Sequence, residues 1–354
     1  MHTRPFVSVF IAYAECDGQL TSPEYDDPSV RAEIDGWMQS LGCEWEWVAV
    51  SASTLDTEIH RVREHHTRRR VVVLNLCDGD DVNGYPGVSV VKALEAANVP
   101  FTGARSRFYG ISTSKRTMKR RFAARGVPTA PFVRIRNAKA DIRRAGRTLG
   151  WPIFVKPDVA AGSTGITTSS RAGNIEDGIR AAELAVAHGG LIAEPFLAGR
   201  EFTVLVLSDG TMPDGLRALA PVERVFNEFL PIDQRFLTSD TVMDEGADNH
   251  AYSYAPAPGE WHDELTSLAR RAVHAVEGSG YARVDIRYDA DPGVPLVLEV
   301  NANCGLTADV TSAVGSILEY SGTSIASFVD IIVADALQRH RPGRGRRFDR
   351  TLPS

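Results

Sequence analysis

Cysteine is scarce in this sequence. The four in 354 residues (Cys16, Cys43, Cys77 and Cys304) lie far apart and form no C-x-x-C pair. This excludes a disulfide framework and a structural zinc site, and leaves free thiols in a cytoplasmic protein as the expectation. Long apolar runs are also missing. The longest, such as Val71 to Leu74, fall far short of the roughly 20 residues that a membrane helix needs. The N-terminus opens with His2, Thr3 and Arg4 and then a strand-like run, without the apolar core of a signal peptide. A formal net charge of −6 excludes the broad basic face of a nucleic-acid binder and any strongly cationic membrane surface.

Several common catalytic motifs are absent as well. Gly79 and Gly84 have P-loop spacing, but Tyr85-Pro86 stands where the phosphate-binding Lys and the Ser/Thr are required. No G-x-G-x-x-G follows a strand, which disfavours a Rossmann dinucleotide site. His60, His65 and His66 sit in an Arg/Glu-rich helical segment without H-E-x-x-H order, as on a solvated face. No G-x-S-x-G elbow marks a serine hydrolase.

What is present alternates strand and helix. Phe6–Ala12 reads as a buried strand. A helix is expected to start at Pro28, behind Asp26-Asp27, and to stop at Gly42. Trp45–Val50 is a second strand, Thr57–His66 a charged helix and Val71–Leu76 a central parallel strand. Val88–Ala97 has helical spacing and Val99–Thr102 reads as a short strand. The first hundred residues therefore form an open α/β layer. From Ser112 the pattern changes to a small α+β unit: a basic helix Lys115–Arg125, helix Ala138–Leu149, strand Ile153–Lys156, a small-residue loop over 160–168 and helix Ile175–His188. Beyond it come strands Leu191–Glu194 and Phe202–Ser208 and an irregular stretch over 219–258. Helix Asp263–Glu277, strands Ala282–Tyr288 and Pro295–Val300, and helix Ser324–Gln338 follow. The Arg/Gly-rich tail 341–354 is expected to be disordered. No internal repeat is found.

Three segments carry chemistry together. Phe154-Val155-Lys156-Pro157 ends a strand with a lysine, and Gly162-Ser163-Thr164-Gly165 follows. A lysine there reaches phosphate as a point charge, and a loop without bulky side chains brings its N–H groups close. Glu194-Pro195-Phe196-Leu197 is a short connection whose backbone suits an adenine edge, and Glu201 beyond it suits ribose hydroxyls. Finally, Arg283-x-Asp285 and Glu299-x-Asn301 lie on neighbouring strands. Residues two apart on a strand share a face, so Asp285, Glu299 and Asn301 converge as hard oxygen donors for Mg²⁺. Glu299 also interrupts an apolar strand, where an unpaired carboxylate would be costly.

In this order, over residues 71–337, these motifs resemble the ATP-grasp superfamily and within it the D-alanine–D-alanine ligases. The resemblance implies an ATP-grasp fold of mixed α/β and α+β class. It comprises an N-terminal open α/β (pre-ATP-grasp) domain, 1–111, a small ATP-grasp subdomain, 112–190, and a large one with metal and substrate site, 191–340. By the same resemblance Lys115 and Lys156 contact ATP phosphates and Ser163 belongs to the phosphate loop. Glu194 to Leu197 form the adenine hinge and Glu201 meets the ribose. Arg283 stabilises the transferring phosphoryl group, Asp285, Glu299 and Asn301 bind Mg²⁺ (or Mn²⁺), and the Gly305 N–H helps hold the oxyanion. The implied reaction phosphorylates a carboxylate and joins the acyl phosphate to an amine. Both substrates are small molecules, and a homodimer matches the habit of related ligases.

The substrate-side segments depart from that family. Its Glu-His-Glu-Val-Ser segment is replaced by Tyr13-Ala14-Glu15-Cys16-Asp17-Gly18, and its Leu-His-Gly reads Leu76-Cys77-Asp78-Gly79. Its mobile-loop Lys-Tyr corresponds to Arg235-Phe236, which keeps a cation but loses the hydroxyl. Its Asn-x-x-Pro-Gly-Met-Thr reads Asn301-Ala302-Asn303-Cys304-Gly305-Leu306-Thr307, and the Ser-Leu pair beyond is not evident. The leading expectation is therefore a ligase for a specialised-metabolite acid and an amino acid. A D-alanine–D-alanine ligase is the alternative, and a catalytically silent ATP-binding regulator is the reading from another class. Cys304, beside the oxyanion glycine, reads as a small buried residue rather than a reactive thiol.

Overall fold

The structure is a computed structural model that describes residues 4–340 apart from 17, 24, 80–83, 161, 240–250 and 290–292. The expectation of a disordered tail over 341–354 thus lies outside the described residues.

The chain opens with β1 (Phe6–Ala12), the hairpin β2 (Ala14–Cys16) and β3 (Gln19–Thr21), α1 (Pro28–Leu41), β4 (Trp45–Val50), α2 (Leu55–Arg68), β5 (Val71–Asn75) and α3 (Val88–Ala97). Strands β4, β1 and β5 lie parallel in that order. Helix α1 begins where the Asp27 side chain accepts the Ser29 N–H, with Pro28 in its first turn. It ends at Gly42, whose φ of 63° is left-handed. The strand expected at Val99–Thr102 shrinks to one parallel bridge between Val73 and Phe101. The Thr102 hydroxyl accepts the Asn75 N–H in place of a further ladder bond, and Gly103, at φ 84°, turns the chain away.

Helices α4 (Ser106–Ser112) and α5 (Lys115–Ala124) lead to β6 (Val133–Ile135), α6 (Ala138–Leu149), β7 (Ile153–Pro157), β8 (Arg171–Ala172), α7 (Ile175–Ala185) and β9 (Leu191–Pro195). The four strands form an antiparallel sheet in the order β6-β9-β7-β8, against which α6 and α7 pack. After it come β10 (Glu201–Ser208), β11 (Leu216–Ala218), β12 (Val222–Phe226), β13 (Tyr252–Pro256), α8 (His262–Ala275), β14 (Tyr281–Asp289), β15 (Val294–Ala302), α9 (Ala313–Tyr320) and α10 (Ile325–Arg339). A larger antiparallel sheet runs β13-β12-β10-β14-β15, with β11 also on β10. Strands β12 and β13 lie inside the stretch expected to be irregular. The reason is an inverted pattern: in β12 Arg224 is buried while Val225 is 41% exposed, so hydrophobicity does not alternate.

The N-terminal sheet and the larger sheet share their apolar cores. One core joins Phe10 and Val73 to Val204, Val284 and Val300, and takes Met118 and Phe122 from α5. The other joins Val9 and Leu74 to Leu205, Tyr281 and Phe328. The four-stranded sheet has a core of its own, built from Ile142, Ile153, Val155, Ala182 and Ala193 among others. Among the described residues no single helix is long and apolar enough to cross a membrane.

Candidate active site

Three rungs of cross-strand neighbours span one face of the larger sheet. In the first, Glu201 on β10 lies opposite Arg224 on β12 and Arg287 on β14. In the second, Asp285 lies between Thr203 on β10 and Glu299 on β15. In the third, Arg283 lies opposite Asn301. Directly opposed residues are the closest side-chain neighbours in a sheet, so the register alone brings these charges together. Between Asp285 and Ile286 the ladder with β15 slips, which leaves Leu298 as an extra residue. The bulge puts Leu298 beside Glu299 on the cavity lining. Strict alternation would have turned Leu298 away.

The rungs are closely paired. Arg283 grips Asp285 with two bonds, Nε to Oδ1 at 2.9 Å and Nη2 to Oδ2 at 3.0 Å. Thr203 donates to Asp285 Oδ1 at 2.8 Å and the Asn301 amide donates to Oδ2 at 2.8 Å. Burial works to raise the Asp285 carboxyl, but the Arg283 charge and these donors outweigh it and hold it below its ordinary value. Burial opposes the Arg283 charge and Asp285 supports it, with the net shift upward. Glu299 is partly open. It sits 3.5 Å from Lys115 Nζ and 3.4 Å from the Asn301 amide nitrogen. Its expected burial cost is thus met by a cation and partial exposure. Glu201 ion-pairs with Arg224 and, at 3.3 Å, with Arg287, while Arg224 also donates to the Tyr254 hydroxyl at 2.8 Å.

The opposite wall comes from the small sheet. Lys156 on β7 and Glu194 on β9 are both buried and pair at 3.1 Å. At the end of β7, Asp158 binds the start of α5: it accepts from the Ser114 hydroxyl and the Arg116 N–H, and its carbonyl takes the Lys115 N–H. Lys115, placed by that cap, donates to the Ala160 carbonyl at 2.9 Å. In the loop that follows, Gly162, Ser163 and Gly165 all have positive φ, and the Ser163 carbonyl accepts the Ile166 N–H. Phe154, Phe196 and Phe236 pack ring to ring at 5.0–6.2 Å, forming an aromatic end to the cavity.

Between the walls lies a cavity of about 310 Å³, within the size range of small-molecule sites. Lys115, Lys156, Ser163, Glu194, Pro195, Phe196, Leu197, Glu201, Arg283, Asp285, Glu299 and Asn301 all line it. Two expected residues do not. The Arg235 guanidinium donates to the Leu230 carbonyl at 2.9 Å and is bound within its own loop, while its neighbours Phe236 and Leu237 face the cavity. Gly305 lies outside the lining, with Asp78 Oδ2 3.7 Å from where its Cβ would be. Cys304 is 6% exposed, and burial pushes its thiol up to about 12, which fits a packed residue. Arg224, Arg287 and Asp158 were not anticipated. Arg287 continues the 283-285 alternation and was legible; Arg224 was hidden by the inverted pattern of β12.

Asp285, Glu299 and Asn301 are hard oxygen donors, yet among the described residues no three His, Cys, Asp or Glu side chains gather as a metal cage. With two carboxylates and cationic neighbours, the set fits a divalent cation whose other ligands come from a bound polyphosphate.

A family model described as D-ala D-ala ligase C-terminus matches residues 122–334 of this chain. The chain belongs to the D-alanine–D-alanine ligase family. It is 30% identical over 257 residues to the D-alanine–D-alanine ligase of Solibacter usitatus, covering 73% of this chain and 74% of that protein. It is 29% identical over 253 residues to that of Bordetella petrii, covering 71% and 73%. Among solved structures, the Bacillus anthracis D-alanine–D-alanine ligase complexed with ATP superposes with a TM-score of 0.69 at 17% identity, over 95% of this chain and 99% of that one. A D-Ala:D-Ser ligase from Enterococcus faecalis gives 0.71 at 16% identity, over 96% and 100%. The fold is thus ATP-grasp, and the protein is an ATP-dependent ligase that forms C–N bonds. The silent-regulator reading gives way to an enzyme.

Proposed function

We propose that this family member joins D-alanine to a second D-alanine with conversion of ATP to ADP and phosphate. This reading moves ahead of the specialised-metabolite ligase because the family match spans residues 122–334 and the curated relatives carry that activity in their names. The observation that carries it is the three-rung array facing Lys115 and Lys156 across one cavity.

In this reading a substrate carboxylate attacks the γ-phosphate, the bond to ADP breaks, and an acyl phosphate forms. The amine of the second substrate then attacks the acyl carbon through a tetrahedral intermediate, expels phosphate and loses a proton. Lys115, Lys156 and Arg283 spread the phosphoryl charge, the main source of rate in such transfers. Mg²⁺, held by Asp285, Glu299 and Asn301, would neutralise phosphate oxygens. Ser163 and its loop would cover the phosphates, Glu194 to Leu197 the adenine and Glu201 the ribose. The division at 111/112 and 190/191, a cytoplasmic location and a homodimer belong to the same proposal.

Asp78 near Gly305 favours a second reading, in which another acid or amine is used. A carboxylate there changes the charge offered to whatever binds beside the turn. Incubation with ATP, Mg²⁺ and D-alanine, with ADP and product mass measured, separates the two. A D-alanyl-D-alanine product, lost in Glu299→Gln, supports the first reading. ADP release only with another acid–amine pair replaces it with the second.

A further inference from the structure

Lys119 lies one turn beyond Lys115 on α5, yet it does not line the cavity. It is 1% exposed. Its Nζ meets Thr129 Oγ1 at 2.9 Å, the Ala130 carbonyl at 3.3 Å and Glu194 Oε1 at 3.1 Å. The other oxygen of Glu194 is 3.1 Å from Lys156 Nζ. One buried carboxylate therefore bridges two ammonium groups, a row whose formal charges sum to +1. Its two ends differ: Lys119 is closed inside the protein, whereas Lys156 borders the cavity.

The row also joins two bodies. Helix α5 packs Met118 and Phe122 into the core shared by the N-terminal and larger sheets, while β7 and β9 build the separate core of the small sheet. A fully buried lysine is expensive, and an apolar side chain of similar length would fill the space at lower cost. Burial pulls the Lys119 ammonium below its ordinary value, with Glu194 resisting. Both lysines offset the burial of Glu194 and keep it ionised.

We propose that Lys119 is a positioning residue that acts through Glu194: by sharing that carboxylate it keeps Lys156 from being fully neutralised, so that Lys156 presents net positive charge to a phosphate. Without Lys119, Glu194 and Lys156 close into a neutral pair. This rests on the ATP-site reading given above.

The test is ATP binding to the purified full chain, followed by calorimetry at fixed ionic strength, with thermal melts to confirm folding. Lys119→Met should weaken ATP binding by about tenfold, the scale of losing one nearby charge in a partly buried site. Lys119→Gln, which removes the charge but keeps a polar side chain in the pocket, should weaken it equally, so a misfolded methionine variant leaves the idea open to test. Lys119→Arg should restore most of the affinity. The decisive variant is Lys119→Met/Glu194→Gln, which frees Lys156 and should bind ATP more tightly than Lys119→Met alone. A double variant as weak as or weaker than the single one overturns the proposal in favour of plain packing. Wild-type affinity in Lys119→Gln overturns it as well. No ATP binding by the wild-type protein overturns the site reading itself.

Discussion

The two walls of the cavity are built on different principles. On the larger sheet Arg283, Asp285, Glu201, Arg224 and Arg287 are locked by cross-strand register and by mutual ion pairs, over a core continuous with the N-terminal unit. On the small sheet Lys156 and the 162–165 loop rest on a core of about a dozen buried residues that stands apart. The first wall is prearranged by the fold as a whole; the second rests on a small core of its own, the kind of unit expected to open locally. The difference teaches where each job belongs. Charge-stabilising chemistry needs fixed groups, while admission of a nucleotide needs a wall that can part from the other.

Three experiments would sharpen or break that contrast. Replacing Asp285 by Asn strikes the fixed wall. It takes the negative charge from a proposed metal ligand and leaves Arg283 without its charge partner, so kcat should fall by about 10³-fold or more. ADP release under saturating ATP measures this, and a loss below tenfold would remove Asp285 from the chemistry. Ile142→Ala strikes the other wall through its core, since Ile142 on α6 is fully buried there. The expected cost is about 3 kcal/mol. It should appear as faster amide exchange in β6, β7 and β9 and a higher KM for ATP, with exchange in β1 and β5 unchanged. Equal acceleration in both regions would mean that the two cores unfold as one.

The smallest effect concerns acid. The carboxyls of Asp285 and Glu194 both titrate below their ordinary values in the folded chain. Their stabilisation is therefore complete above the unfolded carboxylate range, about 4, and is lost as pH falls through the lower folded values. Melting temperatures should accordingly show no loss from these groups between pH 8 and 5, and should drop below about pH 4. Asp285→Asn should lack part of that acid slope. An identical slope in the variant would deny Asp285 its depressed titration.

Much of the site was legible because it sits on regular elements. Alternation on β14 and β15 put Arg283 with Asp285 and Glu299 with Asn301, and the family resemblance singled out Lys115, which the structure sets at the start of α5 behind the Ser114 cap. The illegible parts each broke a local rule. Arg224 is a buried cation in a strand whose Val225 faces out, Leu298 reaches the cavity through a bulge, and Arg235 keeps a cationic character that its own loop consumes. Local pattern carries no information on which side chain a loop will bind.

The sequence by itself determined β1, β4, β5, β7, β9, β10, β14 and β15 and most helices, because burial period, caps and turn glycines are written in neighbouring residues. It also carried enough ordered motifs to point to the family. Only the tertiary structure decided the rungs Arg224–Glu201–Arg287 and Thr203–Asp285–Glu299, and the sharing of Glu194 by Lys119 and Lys156. These pairings join residues tens of positions apart. Their partners are chosen by sheet order, register and the low-dielectric interior that makes an unpaired charge costly, none of which is a property of any one segment.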